Sequence, residues 1–200
     1  MKNSYSFITA ATILLFSLIT NPNISKAQTN PAYSHLDINN INARFNVSGS
    51  DFWDPALGEP RFEAPQGSGK HSMFTSGLWI GGLENNGTLH IAGVRYLASG
   101  NDYYPGPMMD SASYSAFEDS VWNKMWKITK AEVDNHQINW NQPSYIAPAD
   151  FISWPAHGDA SKGQGANLAP YHDHNNDGSY NPYDGDYPLI KGDQTIYFLR

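Results

Sequence analysis

The chain has 200 residues, of which 40% are hydrophobic and 14% aromatic, a composition that permits a packed core and excludes a disordered, collagen-like or coiled-coil protein. Its 12 basic and 19 acidic residues give a formal net charge of −7, which argues against binding to nucleic acid or anionic lipid. The lack of cysteine excludes disulfides, thiolate metal sites and a cysteine nucleophile.

The first 27 residues have the pattern of a secretory signal peptide. Lys2 precedes an apolar run of 14 residues, Phe7–Thr20, and a polar stretch then leads to the small residue Ala27. This run is too short to span a bilayer comfortably, so we expect no stable membrane span after removal of the signal. Removal of residues 1–27 takes away two lysines and leaves a formal net charge of −9. The sequence therefore predicts an exported, acidic protein.

Residues 28–35 are predicted to be an unstructured lead-in to one β-rich module over residues 36–200. Short apolar stretches separated by Gly, Pro and Asn recur about every ten residues, which is typical of antiparallel β proteins. The clearest element is a hairpin with strands at 73–83 and 88–97. Its turn, 84–87, ends in Asn-Gly, a pair that tolerates the positive φ of tight turns.

Helix signals are few. Thr129 and Glu132 form a capping-box pattern that begins a short helix reaching about Gln137. One more turn is predicted at 149–154, before Pro155, and the segment 113–123 is ambiguous. Further strands are predicted at 124–129 and 195–200, and because the chain stops inside the last strand we expect a fragment of a longer protein. The predicted fold is mainly β, an antiparallel β-sandwich-like domain with one or two short helices.

The strongest chemical signal is an oxygen-rich loop near the C-terminal end. Asp173, Asn175, Asp177, Gly178 and Asp184 match positions 1, 3, 5, 6 and 12 of the EF-hand calcium loop. Ca²⁺ takes about six to eight oxygens at about 2.3–2.6 Å, and alternate side chains of such a loop face one centre. Gly178 permits the sharp bend, and Tyr180, at position 8, is expected to point inward as the apolar anchor of the loop. The predicted Ca²⁺ ligands are Asp173, Asn175, Asp177, the carbonyl of Ser179, Asn181 and Asp184, with Asp186 joining the same shell or binding a second ion.

The flanks of the loop exclude a complete EF-hand. Pro170 precedes the loop and Pro188 follows it, which disfavours the two flanking helices. The aspartate at position 12 is shorter than the usual glutamate and resembles dockerin loops. A metal-free surface turn is the alternative. A transition-metal site at His172 and His174 is disfavoured, because these side chains point to opposite faces of an extended segment.

Other groups of residues give weaker signals. The six tryptophans are dispersed, which favours core packing over a platform for sugar stacking. His157 and Asp159 lie close in sequence, but no nucleophile elbow or paired carboxylates accompany them. A calcium-dependent hydrolase would need a pocket that joins these two residues to the loop carboxylates. We assign no catalytic residue and no site for an organic cofactor.

Several sequence blocks occur in a characteristic order. They lie at residues 36–46, 67–71, 78–83 (Leu-Trp-Ile-Gly-Gly-Leu), 100–107, 154–159 (Trp-Pro-Ala-His-Gly-Asp) and 184–188 (Asp-Gly-Asp-Tyr-Pro). Together they resemble the N-terminal region of large proteins that are exported by the type IX secretion system and end in a C-terminal sorting domain. The resemblance implies passage through the inner membrane by the signal peptide and then across the outer membrane. Members of this group are mostly uncharacterised, so no catalytic residue is implied.

These observations predict a secreted or cell-surface calcium-stabilised β module with a structural or adhesion role. Its expected partners are downstream domains of the same polypeptide, surface glycans or other cell-surface proteins. The alternative is a carbohydrate-binding or carbohydrate-active module. The two functions predict different tryptophan environments, since a sugar platform requires several exposed on one face and a scaffold buries them.

Overall fold

The structure of the protein is a computed structural model that describes residues 31–94 and 102–200. The predicted signal peptide, residues 28–30 of the lead-in and residues 95–97 of the second hairpin strand lie outside the described residues.

Short antiparallel strands account for most of the regular structure in the described residues. The strands are β1 (Tyr33–Leu36), β2 (Asn42–Asn46), β3 (Ser50–Asp51), β4 (Trp53–Asp54), β5 (Glu59–Pro60), β6 (Phe62–Glu63), β7 (His71–Met73), β8 (Ser76–Gly77), β9 (Trp79–Leu83), β10 (Leu89–Gly93), β11 (Trp126–Thr129), β12 (Tyr171–His172), β13 (Tyr187–Pro188) and β14 (Gln194–Tyr197). The helices are α1 (Ala116–Trp122), α2 (Lys130–Asn139) and α3 (Ala149–Ile152), with 3-10 turns at Ala160–Lys162 and Pro182–Asp184.

The strands form one sheet of four strands, in the order β1-β2-β6-β7, and five two-stranded ribbons. All of the pairings are antiparallel, and strands outnumber helices, so the described residues are mainly β, as predicted. No helix among them is long and apolar enough to cross a membrane.

Strand pairing begins earlier in the chain than the sequence predicts. β1 pairs with β2 in a register that starts with Tyr33 opposite Asn46. The Arg44 guanidinium lies 3.7 Å from the centroid of the Tyr33 ring, a contact that adds cation–π attraction to the strand pairing. The prediction of an unstructured lead-in at 28–35 was therefore wrong for Tyr33–His35. The partner strand and Arg44 order this segment although it has little apolar character.

A buried polar network fixes the chain after β2. Asn46 is fully buried, and its side-chain amide donates to the carbonyls of Ser50 and Trp53. Its Oδ1 accepts a hydrogen bond of 2.9 Å from Arg44 Nε, and Arg44 in turn pairs with Asp54 at 2.8 Å. Because these groups satisfy one another away from water, the network restricts this region to one arrangement.

The main core lies between the ribbon β11–β14 and helices α2 and α3. Phe151 and Ile128 are fully buried at its centre. The other buried members of this cluster are Trp126, Val133, Ala147, Trp154, Ala156 and Ala169. Burial of large side chains such as Phe151 contributes about 1.5–3 kcal/mol each, so this cluster stabilises the part of the chain from which the acidic loop projects.

Polar contacts connect the N-terminal sheet to this core. Asp37 Oδ1 accepts hydrogen bonds from Lys127 Nζ at 2.7 Å and from Gln194 Nε2 at 3.1 Å. The Lys127 ammonium holds the pKa of Asp37 below its ordinary value. In the neighbouring ribbon β3–β8, the Asp51 carboxylate contacts Arg200 at 3.2 Å. Both contacts join residues that are distant in sequence.

The predicted helices are present. Thr129 caps α2 and forms a complete capping box with Glu132, because each side chain accepts from the backbone N–H of the other residue. α3 occupies the predicted turn before Pro155, and the ambiguous segment 113–123 contains α1, capped by Ser115.

The predicted hairpin is also present, with shorter strands than expected. β9 and β10 pair antiparallel, with Leu83 opposite Leu89 next to the turn. Gly87 adopts φ +86° and donates its N–H to the Glu84 carbonyl at 2.9 Å. This is the left-handed conformation that the Asn-Gly sequence favours.

We predict that His136 makes the stability of the core depend on pH. This imidazole is fully buried, its Nδ1 lies 3.0 Å from the Tyr145 hydroxyl, and burial lowers its pKa against the opposing influence of Asp186. The unfolded chain therefore binds this proton more readily, and stability decreases as the pH falls below 6.5, the ordinary pKa of histidine.

Thermal unfolding at a series of pH values below 6.5 tests this expectation. His136→Gln should flatten the dependence. Equal slopes for the wild type and His136→Gln would contradict the assignment.

Candidate functional site

The acidic loop at residues 173–184 lies between two paired strands. β12 and β13 form a short antiparallel ribbon, with His172 opposite Tyr187. The ring centroids of these two residues are 4.6 Å apart in a stacked arrangement. The ribbon therefore brings the two ends of the loop together.

Two residues with positive φ bend the first half of the loop. Gly178 has φ +77°, and Asn176 has φ +58°. Glycine adopts this conformation without steric cost, and asparagine tolerates it better than most other residues. The sequence prediction that Gly178 permits the sharp bend is confirmed.

The side chains at the first three predicted ligand positions accept hydrogen bonds from the loop's own backbone. Asp173 Oδ2 accepts from the Gly178 N–H at 2.8 Å, and Asn175 Oδ1 accepts from the Asp177 N–H at 3.1 Å. Asp177 Oδ1 accepts from the Ser179 N–H at 2.7 Å. These bonds fix the loop's curvature, and each oxygen has a second lone pair for another partner.

The second half of the loop closes through Asn181 and Asp184. Asn181 Oδ1 accepts from the Tyr183 N–H at 3.1 Å and so caps the 3-10 turn Pro182–Asp184. The Asn181 amide also donates to Asp184 Oδ2 at 2.6 Å. The two predicted ligands of this half therefore lie side by side.

Asp186 anchors the loop through hydrogen bonds to its backbone. Its side chain is fully buried, Oδ1 accepts the His174 N–H at 2.8 Å, and Oδ2 accepts the Asn181 N–H at 2.8 Å. The sequence predicted a spare carboxylate for a cation here, and the anchoring contacts were not predicted. The signal that could have suggested them is an aspartate within Gly-Asp-Tyr-Pro, a segment too apolar for a free surface charge.

Tyr180 attaches the loop to the core. Its ring packs against the core cluster, and its hydroxyl donates to the Phe151 carbonyl at 2.8 Å. The Tyr171 ring meets it edge-on, with the centroids 5.2 Å apart. The prediction that Tyr180, at loop position 8, points inward is confirmed.

The electrostatic field around the loop is negative. Burial is the largest cause that raises the pKa of Tyr171, and the charges of Asp173, Asp186 and Asp177 raise it further. Burial and the Asp186 charge raise the pKa of Tyr180 in the same way. Carboxylates that disfavour a phenolate favour a cation at the same place, so the loop attracts positive charge.

The predicted ligands do not all converge in this arrangement. Among residues 31–94 and 102–200, no group of three or more His, Cys, Asp or Glu side chains is placed to hold a metal ion. His172 and His174 each pack on an aromatic ring, the second on Trp140 with the centroids 5.2 Å apart. Both imidazoles thus have packing roles.

The tryptophans are mostly removed from solvent. Trp53, Trp126 and Trp154 are buried, and Trp122 and Trp140 are half-buried. Trp79 alone among the six is largely exposed, at 65%. The six side chains therefore do not form a shared exposed platform.

His157 and Asp159 make local structural contacts. The His157 ring meets Tyr171 edge-on, and its Nδ1 lies 3.2 Å from the Ala166 carbonyl oxygen. Asp159 accepts from the Ser161 N–H and hydroxyl, which lowers the pKa of its carboxyl. Asp159 thus caps the 3-10 turn at 160–162, and His157 contacts other parts of the chain.

A second feature is an apolar face on the hairpin β9–β10. Trp79, Leu83, Leu89 and Ile91 share this face through the strand register and are 59–72% exposed. The remaining positions of the face are Gly81 and Gly93, so it carries no charged side chain. A two-stranded hairpin is marginal in water unless another element packs on it.

Comparison with known proteins returns no match: no protein-family model, curated protein or solved structure is similar to this chain.

We predict that Asp186 contributes more to stability than any exposed loop carboxylate. Asp186→Ala leaves the N–H groups of His174 and Asn181 without their acceptors, which should cost about 2–3 kcal/mol in the free energy of unfolding. Urea unfolding followed by tryptophan fluorescence measures this loss.

Two further variants calibrate the effect. Asp186→Asn should cost less than the alanine variant, because its amide keeps one acceptor oxygen. Asp193→Ala removes an exposed carboxylate and should change stability by less than 0.5 kcal/mol, as is typical of surface substitutions. Equal effects of Asp186→Ala and Asp193→Ala would show that the buried carboxylate has no anchoring role.

Proposed function

We propose that the protein is an exported β module that binds Ca²⁺ in the loop at 173–184 and serves as a structural or adhesive part of a larger protein. The observation that carries the proposal is the loop's arrangement, in which oxygen-bearing side chains at alternate positions are fixed by backbone N–H groups. The negative field of these carboxylates attracts a hard cation, which would draw the oxygens of the two halves of the loop together.

The chemistry of the donors supports calcium. The ligands that we propose offer carboxylate, amide and carbonyl oxygens, which hard cations prefer. They are Asp173, Asn175, Asp177, the Ser179 carbonyl, Asn181 and Asp184. Binding would require the Asp184 carboxylate to exchange its contact with the Asn181 amide for the ion. Asp186, with both oxygens already engaged, fits the anchoring role better than the ligand role.

A bound cation would stabilise the protein in two ways. It would cross-link the first and last ligands of the loop, and it would offset part of the net charge of −9 that remains after signal removal. An extracellular site of this kind binds at about 10⁻⁴–10⁻³ M, which suits calcium-rich surroundings. Calcium would then stabilise the fold and take no part in a reaction.

The hairpin face supports the interaction role. Four large apolar side chains stand exposed on one uncharged face, and such a patch is typical of a surface that contacts another protein element. Downstream domains of the same polypeptide, or other cell-surface proteins, are the partners that we propose for it. We also propose that the complete module has a β-sandwich-like arrangement of its strands.

The support for export comes from the sequence. The apolar run Phe7–Thr20 and the cleavage-like Ala27 support removal of a signal peptide, and the sequence blocks support type IX secretion. The proposed location is therefore the cell surface or the medium.

The carbohydrate-directed alternative has less support. A sugar platform requires several coplanar aromatic rings on one face, and three of the six tryptophans are buried in packing roles. Trp79 is the remaining candidate for sugar stacking, and its indole N–H is already donated to the Val94 carbonyl at 3.0 Å.

We predict that Ca²⁺ raises the melting temperature of the chain lacking its signal peptide. At a calcium concentration about ten times Kd the gain is about 1.4 kcal/mol, which corresponds to about 3–6 °C for a protein of this size. Differential scanning calorimetry with calcium and with excess EGTA measures the shift, and Mg²⁺ should give a smaller one.

A double variant identifies the loop as the source of this shift. Asp173→Asn combined with Asp177→Asn keeps the side-chain shapes but removes two charges, so it should abolish most of the calcium effect. Asp193→Asn at an exposed position is the matched control and should retain it. A melting temperature that is equal in calcium and in EGTA would refute the calcium site.

A glycan array separates the structural role from the carbohydrate-directed one. We expect no defined glycan to bind the chain lacking its signal peptide, with or without calcium. Binding that disappears in Trp79→Ala but persists in the half-buried control Trp140→Phe would instead support a sugar-binding module.

A further inference from the structure

We propose that the Asn86–Gly87 peptide at the tip of the hairpin is a site of spontaneous deamidation through a succinimide. The proposal is independent of calcium binding and concerns the same hairpin that carries the apolar face. It follows from the residue pair, its exposure and the contacts of the turn.

The tip exposes the reacting groups to water. Asn86 and Gly87 are both exposed, and glycine has no side chain to hinder approach of its nitrogen to the Asn86 side-chain carbonyl carbon. The Gly87 N–H donates to the Glu84 carbonyl at 2.9 Å, so the reaction requires a brief opening of the turn. Such opening costs little at the end of a two-stranded hairpin.

The chemistry needs only water as co-reactant. The Gly87 nitrogen loses its proton to solvent base and attacks Asn86 Cγ, the Cγ–Nδ2 bond breaks, and the leaving group takes up a proton and departs as ammonia. Water then opens the five-membered ring at either carbonyl. The products carry an aspartate or an isoaspartate at position 86, with one water consumed, one ammonia released and no change of oxidation state.

Other asparagines lack this combination of features. Asn85 is equally exposed, but its successor is Asn86, whose side chain hinders the attacking nitrogen. Asn46 is fully buried and its amide is held by two carbonyls. Asn176 is exposed and precedes Asp177, which has a side chain and donates its N–H to Asn175.

Deamidation would weaken the hairpin from its tip. Asn86 Nδ2 now donates to Glu84 Oε2 at 3.0 Å, and a carboxylate in its place would put two negative oxygens together. An isoaspartate also adds a methylene to the backbone within the turn that the Gly87-to-Glu84 bond closes. The result is a frayed turn beside exposed Leu83 and Leu89.

The test is a time course on the chain lacking its signal peptide, held at mildly alkaline pH and sampled for peptide mapping by mass spectrometry. The expected result is replacement of NH₂ by OH in the peptide that contains residues 84–90, as both aspartate and isoaspartate, several-fold faster than in any other peptide. Fragmentation should place the change at Asn86 and leave Asn85 intact.

Two variants check the mechanism. Asn86→Gln should abolish the change in this peptide. Gly87→Ala should slow it several-fold, because the alanine side chain hinders the attacking nitrogen. A loosened turn alone would accelerate the reaction, so slowing in this variant cannot come from a more open turn. Deamidation of the peptide at the average rate of the other asparagines, or equal modification of Asn85 and Asn86, would overturn the proposal.

Discussion

The two halves of the loop at residues 173–184 are attached to one buried carboxylate, because the two oxygens of Asp186 accept the N–H groups of His174 and Asn181. A buried carboxylate lowers the free energy of unfolding unless hydrogen bonds replace its lost hydration. Movement of the loop away from Asp186 would break these hydrogen bonds and is therefore unfavourable. Tyr180 adds a third attachment at the Phe151 carbonyl. The anchorage of the loop is therefore built from the protein alone, and a cation would act on a loop already fixed at its base.

Stability is distributed unevenly over the described residues. The core around Phe151 and Ile128 combines complete burial with the attachment of the acidic loop. The hairpin β9–β10 has the opposite character, since Trp79, Leu83 and Ile91 remain largely exposed and, within residues 31–94 and 102–200, its strands pair only with each other. Regions with few buried contacts open first, so we expect the hairpin to open before the core.

The sequence predicts those features that depend on neighbouring residues. The capping box of Thr129 and Glu132, the turn at Asn86–Gly87 and the bend at Gly178 all involve residues within a few positions of one another, where local chemistry decides the conformation. The pairing of Tyr33 with Asn46 escaped prediction because a polar strand is ordered by its partner and not by its own pattern. The anchoring role of Asp186 also escaped prediction. An aspartate is expected to lie in solvent, and the burial of this one depends on the packing of residues distant in sequence.

The net charge of the chain affects how a partner can approach the hairpin. The chain carries a formal net charge of −7, which removal of the proposed signal peptide would make −9, so most of its surface repels a second acidic protein. The face of Trp79, Leu83, Leu89 and Ile91 has no charge, and a partner can approach it without direct repulsion between facing side chains. Neutralisation of the loop by a divalent cation would reduce the remaining long-range repulsion, which acts within about 8–10 Å at physiological salt. A cation at the loop would therefore assist a contact at the hairpin only where the partner also comes within that distance of the loop carboxylates.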